Sequence, residues 1–123
     1  AKEVVRNIKD LKDKNLDLIV DFAGFGITTT EAIETVVHGG TVVLVGMGRL
    51  EFKVNVADFI VGQKRVLASI GGTKEGIAAI YELMKSGKLT PKLTKIKPSE
   101  IPEGILLLEQ GKVQGRLVAC YEE

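Results

Sequence analysis

Apolar positions fall into two rhythms along this chain. Leu16-Asp-Leu-Ile-Val-Asp-Phe-Ala23, Thr41-Val-Val-Leu-Val-Gly-Met47 and Arg65-Val-Leu-Ala-Ser-Ile70 are short, rich in β-branched residues and nearly all apolar. The first two, bounded by glycine, predict strands buried on both faces of a parallel sheet, and the third predicts one more strand. Between them apolar residues recur every three or four positions, the rhythm of a helix. Val4, Ile8 and Leu11 predict an amphipathic helix over Lys2–Lys14, with nothing to cap its start. Thr28 and Glu31 form a Thr-x-x-Glu capping box for a helix reaching about His38, stopped by Gly39. Asn55 caps a short helix, Val56–Val61, closed by Gly62. Thr73 caps a helix with Ile77, Ile80, Tyr81, Leu83 and Met84 on one face, ended by Gly87.

From Lys88 the composition shifts. Leu89, Leu93 and Ile96 sit in a segment rich in Lys, Thr and Pro, which reads as extended and edge-like. Ser99 caps a further helix bearing Ile101, Ile105, Leu106 and Leu108, Gly111 ends it, and Arg116–Tyr121 reads as a last short strand. The fold expected is α/β: three core strands, side by side in sequence order, with flanking helices, plus a C-terminal helix and short strand. Each strand followed by a helix makes a βαβ crossover, and the glycine turns after the strands are where such sheets bind ligands.

Composition narrows the function. With 17 Lys and Arg against 16 Asp and Glu, the net charge of +1 gives no sign of a nucleic-acid surface. No apolar run reaches the roughly 18 residues of a membrane helix, and no secretory leader pattern opens the chain. Cys120 is the one cysteine, so no internal disulfide forms and a reducing cytoplasm is expected. One Cys and one His cannot make a three- or four-ligand zinc site without carboxylates. No catalytic group and no metal ligand is therefore assigned to this chain.

The candidate chemistry lies in the turns. Gly24-Phe-Gly26-Ile-Thr-Thr29 follows a strand and opens a helix, as a dinucleotide fingerprint does, but Thr29 stands where a third glycine belongs. Gly46-Met-Gly-Arg49 stands where an acidic ribose ligand would close the next strand, so Arg49 could read a 2′-phosphate of NADP. Two other readings stay open. The glycines could serve tight turns only. Alternatively, the turns could face a dinucleotide whose phosphate loop lies elsewhere, with the backbone at Gly46 and Ile70-Gly71 against ribose and nicotinamide. Asp21, inside an apolar strand, would cap a nearby turn or contact a ribose. His38 suits a helix C-terminus, and Cys120 and Tyr81 read as core. Arg116 could fork onto phosphate oxygens or form a surface ion pair.

An ordered set of motifs then carries a resemblance. Asp17-Leu-Ile-Val-Asp-Phe-Ala-Gly24, Gly39-Gly-Thr-Val-Val-Leu-Val-Gly-Met-Gly48 and Ala68-Ser-Ile-Gly-Gly-Thr73 come first. Gly87-Lys-Leu-Thr-Pro91, Ile101-Pro-Glu-Gly-Ile105 and Gly111-Lys-Val-Gln-Gly-Arg-Leu-Val118 follow. Together they resemble the carboxy-terminal portion of the medium-chain, zinc-type alcohol dehydrogenases. The resemblance implies a partial Rossmann-type sheet. Residues 1–87 would be the second half of the dinucleotide-binding domain, and 88–123 the terminal segment returning to a catalytic domain.

Family members are much longer, and the chain is expected to be a piece of such a protein. It carries neither the zinc ligands nor the glycine-rich phosphate loop nor the residue that selects NAD or NADP. By resemblance, Phe22, Ala23, Gly24, Val45, Gly46, Ala68, Ser69 and Ile70 line the cofactor, largely by main chain, and Arg116 reaches its pyrophosphate. The strand Arg65–Ile70 would pair with a two-fold mate in a homo-oligomer. The whole protein would pass a hydride between an alcohol or carbonyl substrate and NAD or NADP, with zinc in the parent and not in this chain. The chain alone would bind cofactor weakly and be inactive. The alternatives are a zinc-free quinone or enoyl reductase of the same superfamily, or a non-catalytic nucleotide-binding or interaction module.

Overall fold

The computed structural model describes residues 1–121, in two compact units, Ala1–Gly71 and the stretch from Gly72 on. In the first, strands β1 (Leu18–Asp21), β2 (Thr41–Leu44) and β3 (Arg65–Ala68) form a parallel sheet in the order β1-β2-β3. Leu18 pairs with Thr41 and Thr41 with Arg65, so the strands start in step. Helix α1 (Ile27–Thr35) connects β1 to β2, and α2 (Val56–Val61) precedes β3. The sheet is α/β, parallel and Rossmann-like in strand order, as the sequence leads one to expect.

The core is small. Ile19 and Val42 on the sheet meet Ala32, Ile33 and Val36 of α1 and its end, with Ile8, Leu44, Phe59 and Val66 packed around them. Within this unit only one face of the sheet is covered: Ile19 and Asp21 are buried, whereas Leu18 and Val20, alternating with them, are exposed. That corrects the expectation of strands buried on both faces.

The strands are also shorter than their apolar runs. Leu16 is lost to pairing because its carbonyl accepts the Val37 amide at 3.1 Å. At the other end the Val45 and Gly46 amides both turn onto the Asp21 carbonyl, at 3.0 and 3.1 Å, and the ladder stops there. The helix expected over Lys2–Lys14 is a 3₁₀ helix over Ile8–Lys14, capped by the Asn7 side chain on the Lys9 amide at 2.8 Å. Ile8 and Leu11 are three apart, which suits the three-residue period of that helix. Asn55 and Gly62 bound α2 as expected.

In the second unit, α3 (Lys74–Lys85) is capped by Thr73, whose hydroxyl accepts the Gly76 amide at 3.0 Å. Its apolar side chains, Ile77, Ile80 and Tyr81 among them, are exposed, so Tyr81 is not a core residue here. Strands β4 (Leu93–Ile96) and β5 (Arg116–Ala119) pair in parallel, joined through α4 (Ile101–Glu109). Gly104 is buried where α4 crosses this pair, since an added Cβ would lie 3.1 Å from Leu117 and 3.3 Å from Ile96. Ser99 does not cap α4. It lies in a 3₁₀ turn, Pro98–Glu100, where the Glu100 carboxylate accepts the Lys97 amide instead.

Candidate functional site

The turns that follow β1, β2 and β3 converge at the C-terminal ends of the strands, where a parallel sheet leaves room for a ligand. They enclose a cleft of about 450 Å³ whose lining includes Gly24, Val45, Gly46, Ala68, Ser69 and Ile70, residues that the resemblance assigns to the cofactor. Phe22 and Ala23 belong to the same turn without lining the cleft. Phe22 is largely exposed. Ala23 is held at both ends, its amide by Asp21 and its carbonyl by Gly48. Arg116 stands in the second unit as the first residue of β5, its guanidinium 3.5 Å from the Gly115 carbonyl.

The turns lock together through their backbones. Gly24 has φ +60°, and a Cβ there would run into the Gly46 carbonyl. A Cβ on Gly46 would in turn strike the Phe22 carbonyl. The Gly48 and Arg49 amides reach back to the Ala23 and Gly24 carbonyls, at 3.2 and 2.8 Å.

Asp21 ends β1 with only 7% of its surface exposed. Its Oδ1 accepts the amides of Ala23 and Gly24, at 3.0 and 2.9 Å. Its Oδ2 accepts the hydroxyls of Thr28 and Thr29, at 2.9 and 2.7 Å. Burial pushes this carboxyl upward. The Gly24 amide, the two threonine hydroxyls and the Ala23 amide outweigh it and hold the group below the ordinary aspartate value. Of the two roles open to Asp21, the turn cap is the one seen. Thr28 is correspondingly not the N-cap of α1. Gly26 is, at φ +75°, and no side chain caps that end. Glu31, the other half of the expected capping box, faces Asn7 and Lys9 instead, at 3.4 and 3.9 Å.

Sequence reasoning missed the outer wall. Leu50 and Phe52, in the loop between β2 and α2, line the cleft beside Arg49 and Glu51. Their signal was the apolar alternation of Leu50, Phe52 and Val54 with charged residues. The walls are mostly apolar, with Thr29, Ser69, Arg49 and Glu51 as polar residues, a composition that suits a small organic ligand. The volume and the bare glycine backbones fit part of a dinucleotide. A zinc ion does not fit: among the described residues no three His, Cys, Asp or Glu side chains come together. His38 is exposed beyond the end of α1, and Cys120 is half-buried just past β5. No helix among the described residues is long and apolar enough to cross a membrane.

Comparison with known proteins bears on this cleft. The profile of the zinc-binding dehydrogenase family matches residues 1–86. An alcohol dehydrogenase of Geobacillus stearothermophilus is 29% identical over 93 residues, covering 76% of this chain and 27% of that protein. A D-arabinose 1-dehydrogenase (NADP(+)) of Saccharolobus solfataricus is 28% identical over 101 residues, covering 82% of this chain and 29% of that protein. The structure of acetophenone reductase from Geotrichum candidum in complex with NAD superposes with a TM-score of 0.79 at 29% identity, over 85% of this chain and 30% of that one. The chain thus spans less than a third of the length of these relatives.

Proposed function

The chain belongs to the zinc-binding dehydrogenase family, and we propose that it supplies the second half of the nicotinamide-dinucleotide platform of an NAD(P)-dependent alcohol dehydrogenase. One observation carries this reading: the turns after three parallel strands meet in a single cleft at the strands' C-terminal ends. Main-chain groups of Val45, Gly46 and Ala68–Ile70 would bind the nicotinamide half, because a backbone without bulky side chains admits a flat ring closely. Leu44, Leu50 and Phe52 would keep water from that ring. The bound dinucleotide supplies hydride chemistry with an alcohol or carbonyl substrate. This chain contributes binding and orientation.

Arg116 is proposed to reach the pyrophosphate as a forked donor. Residues 88–123 are proposed to lead back to a catalytic domain that holds the zinc, and a cytoplasmic setting goes with the reading. Two relatives favour the cofactor class, one solved with NAD and one named for NADP(+).

The test is an NAD⁺ titration of the ¹⁵N-labelled chain followed by amide chemical shifts. The expected result is weak binding, a Kd of about 1 mM, with shifts at Val45, Gly46, Ser69 and Ile70. Shifts absent from these residues overturn the proposal. In the same sample, added zinc and a panel of alcohols should give no reduced cofactor.

A further inference from the structure

Asp21 is bound at both ends. Its main-chain oxygen accepts the Val45 and Gly46 amides, at 3.0 and 3.1 Å, and so holds the turn after β2. Its carboxylate accepts the Ala23 and Gly24 amides, and so holds the turn after β1. The Thr28 and Thr29 hydroxyls on Oδ2 fix the same carboxylate to the first turn of α1. Amides of Gly48 and Arg49 then tie the second turn back onto the first. One residue thus stands at the junction of two of the three turns that form the cleft.

Resting on the platform reading above, we propose that Asp21 is a positioning residue whose carboxylate charge sets the spacing of the turns after β1 and β2 for a nicotinamide dinucleotide. Four donors face the carboxylate and none of its partners accepts from it. An ionised carboxylate, which only accepts, satisfies all four. A protonated one brings a fifth hydrogen into the cluster, and at least one donor must turn away or lose its acceptor. The first segments to move are the turns, because β1 itself is held by its ladder with β2.

Other charges near the carboxylate are few. Arg6 and Glu31 share with Asp21 a small cavity of about 200 Å³ on the side of α1. Glu31 is already engaged by Asn7 and Lys9. Strand β2, Thr41–Leu44, carries no titratable side chain. Arg49, in the loop packed on the turn, meets it through its amide.

The experiment follows amide shifts of the whole chain against pH, with and without NAD⁺. Ala23 and Gly24 should titrate together, with a midpoint below the ordinary aspartate value of about 3.9. Val45 and Gly46 should move with the same midpoint, the arrangement being present above it and lost as pH falls through it. Thr29→Val removes one donor to the charged form and should raise that midpoint, and Thr29→Ser should return it. Asp21→Asn at neutral pH should abolish the titration and weaken NAD⁺ binding about tenfold, the equivalent of one charge-assisted hydrogen bond. Val45 and Gly46 amides that stay still while Gly24 titrates would overturn the proposal. So would a Thr29→Val midpoint equal to wild type, or a folded Asp21→Asn chain that binds NAD⁺ as wild type does. If wild type shows no NAD⁺-induced shift in the cleft, the platform reading falls and takes the proposal with it. The wild-type titration alone separates that failure from the others.

Discussion

At the scale of single residues the cleft is a matter of backbone contact, and Gly24 shows it most directly. Its φ of +60° is a left-handed conformation, and the space a Cβ would need is taken by the Gly46 carbonyl. Ala in that conformation costs about 1–2 kcal/mol, and pressing a methyl on a neighbouring backbone adds about 1–3 kcal/mol. Gly24→Ala should therefore lower stability by roughly 2–5 kcal/mol in urea unfolding. Gly71, also at positive φ (+54°) but with nothing within 4 Å of its Cβ position, should lose only the conformational part. The glycines were legible in the sequence as turn residues, but their mutual contact was not, because it joins positions 24 and 46 across two strands. The same holds for Asp21. Its oddity in an apolar strand was visible, and so were Thr28 and Thr29. The sequence pattern assigned Thr28 to a helix cap because nothing local says that a carboxylate seven residues earlier competes for its hydroxyl.

At the scale of elements, the order of helices and strands followed from periodicity, and the ends, with the 3₁₀ form of Ile8–Lys14, did not. Asn55 and Thr73 cap α2 and α3 as read, each by a bond to the amide three residues on, which is local chemistry. Strand ends depend on partners, as the Leu16 and Asp21 carbonyls show by accepting amides from outside the ladder. The C-terminus of α1 shows a device that no local pattern announces. Lys64, two residues after α2's closing Gly62, buries its side chain to 6% exposure. Its Nζ donates to the Ile33 carbonyl at 2.7 Å and to the Asp58 carboxylate at 3.0 Å. A cation on the last-turn carbonyls of a helix satisfies orphan acceptors and opposes the negative end of the helix dipole. It also ties α1 to α2, so both helices depend on it. Lys64→Met keeps the aliphatic stem and removes the ammonium. The expected cost is about 1–3 kcal/mol, read as a lower urea midpoint with an unchanged m-value. Asp58→Asn should cost less, because that carboxylate is half-exposed and solvent screens its share.

At the scale of the whole molecule, the parallel sheet in Ala1–Gly71 has two edge strands with no further strand partner among the described residues, and they differ in what they invite. The Arg65 and Ser69 amides bond to β2, so by alternation the Val66 and Ala68 amides of β3 point outward. On β1 the Asp17 and Asp21 carbonyls face β2, so by alternation the Leu18 and Val20 backbone groups point outward, and their exposed side chains make that edge apolar. Pairing β3 with a second β3 about a two-fold axis gives a closed dimer, whereas adding β1 of one chain to β3 of the next leaves ends open and grows without limit. Arg65 at the start of β3, its guanidinium held on the Gly39 carbonyl at 2.9 Å, is the one charge on that edge and protects it little. Light scattering at tens of micromolar, roughly the range where exposed edges associate, should therefore show a discrete dimer formed through β3. Ala68→Pro removes an outward amide and leaves the bonds to β2 in place, so it should shift the dimer to monomer with an unchanged far-UV spectrum. Val20→Pro, the matching change on β1, should leave the dimer intact. A dimer that survives Ala68→Pro and dissolves with Val20→Pro would move the interface to the other edge, and a wild-type chain that stays monomeric would remove both.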